Sequence, residues 1–236
     1  MNDHPDLEHL VASIAQDLKS PLDSLSKFAR MFSQQYQSSL DDQGQQYLEA
    51  IFQTTSKIQT KIQNLEAYSN AGKGEKTWVL VDLNQTCQQV IEQFETQIAK
   101  TQAEILVGEL PKMIVDPTEI AWVFQQLLEN ALKFASERSP KIVITATPKT
   151  EAWLLTISDN GIGIAPQFQL QIFHPGYRIN SSPANPGLGM GLAICQKIIE
   201  RYGGKIEVDS VLGKGSTFYL TLPMDICPQS LVNQAG

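Results

Sequence analysis

The sequence predicts an α-helical hairpin followed by an α/β two-layer sandwich. Three observations carry the prediction. Apolar residues recur in alternating steps of four and three through the first third of the chain, the spacing of a helix packed along a narrow seam. A short polar segment, AGKGEK, then interrupts the pattern and reads as a hinge over residues 71–77. Beyond it, short apolar runs alternate with amphipathic helical stretches, as in a domain that mixes sheet and helix.

In the first region the seam runs Leu7, Val11, Ile14, Leu18, Pro21, Leu25, Phe28 and Phe32. The break SSLDDQG separates it from a second seam, Leu48, Ile51, Thr55, Ile58, Ile62 and Leu65. Two helices of about 30 residues with a short connection make an antiparallel hairpin over residues 1–70. Two helices alone bury little, so a second copy would complete a four-helix bundle in a homodimer. A coiled-coil spacer without chemistry fits the same periodicity. After the hinge, TWVLVDL predicts a strand, residues 84–100 a helix and AEILVGE a strand. Residues 117–135 follow a strong helical pattern with Pro117 in the first turn. KIVITATP and WLLTISD read as paired strands, a Gly/Pro-rich stretch covers 160–187, and a helix is expected over 188–202. KIEVDS and STFYLTL are the last strands of a domain spanning 78–223; the polar tail, 224–236, is expected to be disordered.

The 236 residues suffice for both domains to bury a core. A net charge of −7 argues against nonspecific nucleic-acid binding. The three cysteines, Cys87, Cys195 and Cys227, have no metal-type spacing and read as reduced thiols. The start, MNDHPDLEHL, lacks the basic and apolar regions of a signal peptide, and no apolar run approaches the ~18 residues that cross a bilayer. A cytoplasmic chain, or the soluble part of a longer one, is expected.

Four stretches of the second domain carry chemistry. LLENALKF, residues 127–134, puts Asn130 and Lys133 one turn apart on a helix otherwise committed to the core. SDNGIGI, 158–164, ends a strand with an acid and two glycines. GLGMGLAI, 187–194, opens a helix with three alternating glycines, and GKGSTF, 213–218, turns on glycine into a strand. Singly, each has an ordinary reading as a turn or a satisfied core amide. In this order and spacing they closely resemble the N box, G1 box, G2 box and final Gly-rich turn of the histidine kinase catalytic domain, within the Bergerat-type ATPases. The resemblance covers nearly all of residues 78–222.

That resemblance implies ATP and Mg²⁺ as ligands and assigns roles that the chemistry supports. Asn130 would give a neutral oxygen to Mg²⁺, a hard ion that takes few protein ligands. Lys133 would offer a cation to the phosphate chain and Phe134 an aromatic wall. Asp159 would accept a hydrogen bond from the adenine amino group, with Gly161 and Gly163 permitting close approach beside the base. Gly187, Gly189 and Gly191, followed by Leu192, would present backbone N–H groups to phosphate at a helix N-terminus. Thr217 would complete the adenine site. In the lid, IFHPGYR is similar to the F box, with Phe173 as docking aromatic and Arg178 as a phosphate contact, although Arg178 and His174 also read as plain lid surface. Two positions depart from the family: Gln126 replaces a common first asparagine of the N box, and Gly176 a second aromatic of the F box.

The hairpin contains SIAQDLKSPL, residues 13–22. Asp17, Leu18, Lys19, Ser20, Pro21 and Leu22 resemble the H box of the family's dimerisation and phosphotransfer domain, with Gln16 in the place of the phosphoacceptor histidine. Helical geometry projects Gln16 almost opposite to the seam, with Ala12, Lys19, Ser20 and Asp23 on its side. An imidazole nitrogen can attack the γ-phosphate, whereas the lone pair of a carboxamide nitrogen is delocalised. Asp17, the family's base, then has no proton to take. His9 lies two turns earlier but is followed by Leu10 rather than an acid; His4 is near the terminus and His174 belongs to the lid. Asp17 and Ser20 also fit the family's pattern for positioning water against a phosphorylated response regulator, and equally the pattern of solvated helix residues.

The resulting expectation is a sensor histidine kinase core acting with a response-regulator receiver domain and lacking its acceptor histidine. The alternatives are an ATP-binding pseudokinase or regulator, or a response-regulator phosphatase. An ATPase of the chaperone or topoisomerase type fits less well, because it does not account for the heptad hairpin.

Overall fold

The computed structural model describes residues 4–36, 40–70, 77–179 and 189–224, without the side chains at 4–12, 14, 15, 57, 60, 61, 63–65 and 67–70. The predicted hinge core at 71–76, Gly187 and the tail beyond 224 lie outside the described residues. Two compact units result, one built on the N-terminal helices and one on the α/β region.

Helices α1 (His4–Tyr36) and α2 (Asp42–Asn70) form the hairpin. Asp41 starts α2: its Oδ1 accepts from the Gly44 backbone N–H at 2.7 Å and its carbonyl accepts from Gln45 N at 3.0 Å. Pro21 sits inside α1 without ending it, which frees the Asp17 carbonyl from its helical partner. The two seams of the sequence divide unequally. Leu48, Thr55 and Ile62 of α2 are buried together with Leu22 and Ala29 of α1. Leu18, Leu25, Phe28 and Phe32, the expected contact stripe of α1, remain between 46% and 67% exposed, and Ile51 and Ile58 of α2 are 42% and 39% exposed. The heptad stripe of α1 is therefore not what joins the two helices within one chain. Polar links also cross the hairpin: Lys19 Nζ reaches Glu66 at 3.0 and 3.1 Å, and Gln59 Nε2 donates to Asp23 Oδ1 and Ser26 Oγ, each at 3.2 Å.

The second unit is a two-layer sandwich. Its main sheet runs in the order β2 (Glu104–Val107), β4 (Lys141–Pro148), β5 (Ala152–Asp159), β7 (Gly215–Pro223), β6 (Lys205–Val211), antiparallel except for β2 beside β4. One face of the sheet presents Ile142, Ile144, Leu155, Ile157, Leu220 and Leu222, all 2% exposed or less. Against them lie the apolar stripes of α5 (Pro117–Lys133) and α6 (Gly191–Arg201). Each such side chain contributes about 1.5–3 kcal/mol relative to exposure.

The expected strands and helices are present, with two differences. The single helix expected over 84–100 is two, α3 (Leu83–Gln93) and α4 (Glu95–Thr101), because Phe94 leaves helical geometry at φ −101° and ψ 8°. Gln102 then closes α4 in the left-handed region at φ 53°. A further strand, β3 (Lys112–Val115), pairs with β1 (Val79–Asp82) in a separate two-stranded sheet. Four residues long, it buries only Met113 and Val115, too brief an alternation to stand out in the sequence. Cys87 and Cys195 are buried free thiols; burial pushes the Cys87 thiol up to about 12.

Candidate nucleotide site

The site begins at the C-terminal end of α5. Asp116 caps the other end of this helix, accepting from Thr118 N and Glu119 N, and Pro117 occupies its first turn. That fixes the phase that buries Leu127, Leu128, Ala131 and Leu132 and leaves Asn130 and Lys133 half-buried beside them. The Asn130 carboxamide makes no hydrogen bond among the described residues, so its oxygen is available to a ligand. Burial lowers the Lys133 ammonium pKa; Glu129 opposes the shift and the nearby Arg178 charge adds to it. Two incompletely hydrated cations in one place suit a polyanion. Lys133 Nζ also lies 5.3 Å from the Phe134 ring centroid.

The turn after β5 builds the second wall. Asp159 Oδ1 accepts from the backbone N–H of Gly161 at 2.8 Å and of Ser216 at 3.3 Å. Burial raises its pKa, and those two N–H groups pull the other way. Its Oδ2 has no hydrogen bond among the described residues, which leaves one carboxylate oxygen fixed in direction and free to accept. Gly161 lies so close to the Phe134 carbonyl that a Cβ would overlap it, while Ile162 N donates to that same carbonyl at 3.0 Å. Gly163 has φ 69°, and a Cβ there would strike the Val211 carbonyl; both the dihedral and the space demand glycine.

Several residues that hold this turn were not singled out from the sequence. Asn160 accepts from Lys141 N at 2.7 Å and donates to the Ser139 carbonyl at 3.1 Å. Buried Ser210 accepts from Ile164 N at 2.7 Å and donates to the Gly215 carbonyl at 2.8 Å. Its one proton is thereby used, so Ser216, 2.9 Å away, donates to it and keeps its own lone pairs open. Gln169 Nε2 completes the net, donating to the carbonyls of Ser210 and Ile164. Asn, Ser and Gln in such roles leave no periodic signature; only the fold brings them together.

Thr217 lies elsewhere than expected. It pairs across the sheet with Ser158, and the two hydroxyls are 2.9 Å apart. Successive strand residues point to opposite faces, so Thr217 faces away from Asp159. The position opposite Asp159 on β7 belongs to Ser216, which is buried and already bonded to the carboxylate through its N–H. The hydroxyl beside Asp159 is therefore that of Ser216, one residue before the one chosen from the sequence.

Gly191 and Leu192 open α6, whose first N–H groups lack helical partners. The Gln126 carboxamide oxygen leans so closely on Gly191 that a Cβ would collide with it. Gly189 has φ 66°, a left-handed turn ahead of the helix. In the F-box segment Phe173 is buried and His174 exposed. Gly176, which replaces an aromatic of the family pattern, has φ 78° within a turn closed by Tyr177 N donating to the His174 carbonyl at 3.1 Å. In the hairpin, Gln16, Asp17 and Ser20 are all exposed. Their neighbours Lys19 and Asp23, expected on a wholly solvent-facing side, instead reach α2 through Glu66 and Gln59. Side chains at His4 and His9 lie outside the described residues.

A half-buried acid on a glycine turn packed against the end of the helix that carries Asn130 and Lys133, with glycine opening a second helix, is the arrangement of a nucleotide-binding ATPase domain. Residues 115–226 match the family "Histidine kinase-, DNA gyrase B-, and HSP90-like ATPase", and residues 6–74 match the "His Kinase A (phospho-acceptor) domain". The chain belongs to the two-component sensor histidine kinases, of which it holds the core. It is 33% identical over 219 residues to the phytochrome-like protein Cph1 of Synechocystis, covering 93% of this chain and 29% of that protein. To the adaptive-response sensory kinase SasA of Synechococcus elongatus it is 32% identical over 237 residues, covering 92% and 59%. The chain thus spans under a third of the phytochrome relative and about three fifths of SasA. Among solved structures, full-length ShkA in complex with AMPPNP shares the fold, with a TM-score of 0.78 at 22% identity over 91% of this chain and 45% of that one. The catalytic domain of histidine kinase ThkA matches at a TM-score of 0.55 and 27% identity, over 63% of this chain and 96% of that one.

Proposed function

We propose that this chain binds Mg-ATP in its α/β unit and regulates a response-regulator receiver domain as a homodimer, without phosphorylating itself at residue 16. The observation that carries the nucleotide reading is the Asp159 carboxylate: one oxygen tied to two backbone N–H groups and the other open, within a turn that only glycines allow. Such an acceptor suits the amino group of adenine and repels the carbonyl of guanine. Asn130 would give its amide oxygen to Mg²⁺, which takes its remaining ligands from phosphates and water. Among the described residues no group of three His, Cys, Asp or Glu side chains could hold a metal, and a single amide oxygen suits an ion delivered with a nucleotide. Lys133 and Arg178 would neutralise the phosphate chain, and the opening of α6 at Gly191 and Leu192 would offer it backbone donors. When bound, Mg-ATP supplies the γ-phosphoryl group for transfer.

Gln16 stands exposed beside Asp17 with no nucleophilic nitrogen to accept that group. The exposed stripe of Leu18, Leu25, Phe28 and Phe32 supports dimerisation, since a second hairpin would cover it. No helix among the described residues is long and apolar enough to cross a membrane. Incubation with γ-labelled ATP of the chain and of Gln16→His, side by side, tests the assignment. Acid-labile label is expected on the histidine variant alone; label on the unaltered chain would overturn the role given to Gln16.

The exposure of Asp17 and Ser20 on one face of α1 favours a second activity, hydrolysis of phosphate from the phosphorylated receiver. Loss of label from a phosphorylated receiver on adding the chain, abolished by Asp17→Ala, is the expected result.

A further inference from the structure

At the end of the α/β unit remote from the nucleotide residues, Tyr202 gathers three segments. Its hydroxyl donates to Glu119 Oε2 at 2.9 Å and accepts from the Asp116 backbone N–H at 3.3 Å. Arg201 Nη1 lies 3.5 Å from Glu119 Oε1. These contacts tie the start of α5 to the end of α6. The same knot receives the chain as it leaves the predicted hinge: Thr77 N–H donates to Asp116 Oδ2 at 3.4 Å, and the Trp78 ring stands edge-on to Tyr202 with centroids 5.5 Å apart. Tyr202 is 2% exposed, and burial together with the Glu119 and Asp116 carboxylates pushes its phenol far above the ordinary value, so it stays a donor at every working pH.

The opposite ends of these two helices hold the nucleotide residues. Asn130 and Lys133 lie at the end of α5, and Gly191 and Leu192 at the start of α6, where Gln126 of α5 touches Gly191. Along α5, Glu119 and Asn130 are about 16 Å apart at ~1.5 Å per residue. Both helices are rigid and packed side by side on the sheet, so a tilt at the knot must appear at the other end.

We propose that the Tyr202–Glu119–Asp116 knot is a positioning device through which docking of the hinge at Thr77 and Trp78 sets the affinity of the nucleotide site. The proposal rests on the nucleotide reading above. It makes Trp78 and Tyr202 positioning residues that act through α5 and α6 and touch no ligand. Coupling between two sites is reciprocal: whatever factor hinge docking adds to ATP affinity, bound ATP adds to hinge docking.

The test measures amide hydrogen exchange at Thr77 in the whole chain, with and without saturating Mg-ATP, beside calorimetric ATP affinity on the same preparations. ATP is expected to slow exchange at Thr77 about ten-fold, within the usual range of site coupling. Tyr202→Phe keeps the ring and removes only the hydroxyl; it is expected to abolish this slowing and to weaken ATP binding by the same factor. Trp78→Ala should weaken ATP similarly, and the double variant no further than either single change. Glu119→Gln, which retains an acceptor for the phenol, should keep most of the coupling and serves if Tyr202→Phe does not fold. Thr77 exchange indifferent to ATP that calorimetry shows to be bound would overturn the proposal, as would fully additive losses in the double variant. Absence of any ATP binding would overturn the nucleotide reading itself and the proposal with it.

Discussion

The helical hairpin and the α/β unit obey the same rules of burial with opposite results. In the α/β unit, α5 and α6 each turn a full apolar face onto a sheet whose inner residues are almost wholly covered. In the hairpin, among the described residues, only Leu22, Ala29, Leu48, Thr55 and Ile62 are buried. Thr55 spends its hydroxyl on the Ile51 carbonyl at 2.6 Å, a local bond that adds nothing between the helices. The larger apolar side chains of α1, Phe28 and Phe32 among them, look outward. One unit completes its core from its own sequence; the other, among the described residues, leaves its largest apolar side chains exposed, as the proposed dimer would use them.

The comparison breaks most sharply at the outward stripe. Replacing Leu25 and Phe28 together by Glu should abolish the proposed dimer, read by sedimentation, and remove the hairpin's share of helical circular dichroism, because charges in a four-helix bundle would lose their hydration. The α/β unit should keep its melting transition and its ATP affinity. A monomeric variant with full helicity would show that the hairpin stands on Leu22, Leu48 and Ile62 alone.

How much of this was legible in the sequence follows the same division. Heptad spacing located both long helices but could not say which stripe faces the partner helix within the chain, because Leu48, Ile51, Thr55 and Ile58 alternate between inner and outer positions of one continuous pattern. In the α/β unit every strand but β3, the helix α5 and the glycine turns were readable, since buried periodicity and glycine both leave local marks. The hydroxyl at Asp159 was not. Ser216 and Thr217 are chemically alike and adjacent, and only the register of β5 against β7 decides which one shares the face of the acid. The net of Ser210, Gln169 and Asn160 is equally a product of tertiary contact.

Within the α/β unit the site opposes the fold that holds it. Asp159→Asn keeps an oxygen to accept from Gly161 and Ser216 but loses the charge proposed to receive the adenine amino group. ATP affinity should fall by about 10- to 100-fold, the worth of ~1.5–3 kcal/mol for a hydrogen bond to a charged group. Stability should move the other way. Burial raises the folded-state pKa of Asp159, so the folded chain favours the protonated acid more than the unfolded chain does. The stability linked to that proton is present below the ordinary carboxyl value of about 4 and is lost as pH rises through the raised value. The melting temperature of Asp159→Asn should therefore gain on the unaltered chain as pH rises from about 4, while ATP binding to the unaltered chain weakens as pH falls through the same interval. A variant that melts lower at neutral pH would deny the cost of the buried charge.

Two glycines with nearly the same φ separate the site from its surroundings. Gly163 and Gly176 adopt φ 69° and 78°, and both resist any side chain on that ground. At Gly163 a Cβ would also collide with the Val211 carbonyl, whereas at Gly176 nothing lies within 4 Å. Gly176→Ala then carries the dihedral cost alone, about 1 kcal/mol. It should lower the melting temperature by a few degrees and leave ATP affinity unchanged. Gly163→Ala adds displacement of the chain at Val211 to the same cost, and with it movement of the turn that Asp159 and Ser210 hold; it should lower both. Equal effects from the two substitutions, measured by melting and calorimetry, would mean that dihedral strain alone makes these positions glycine. Unequal effects would place the difference in the close approach of Gly163 to Val211, within the turn that Asp159 and Ser210 hold.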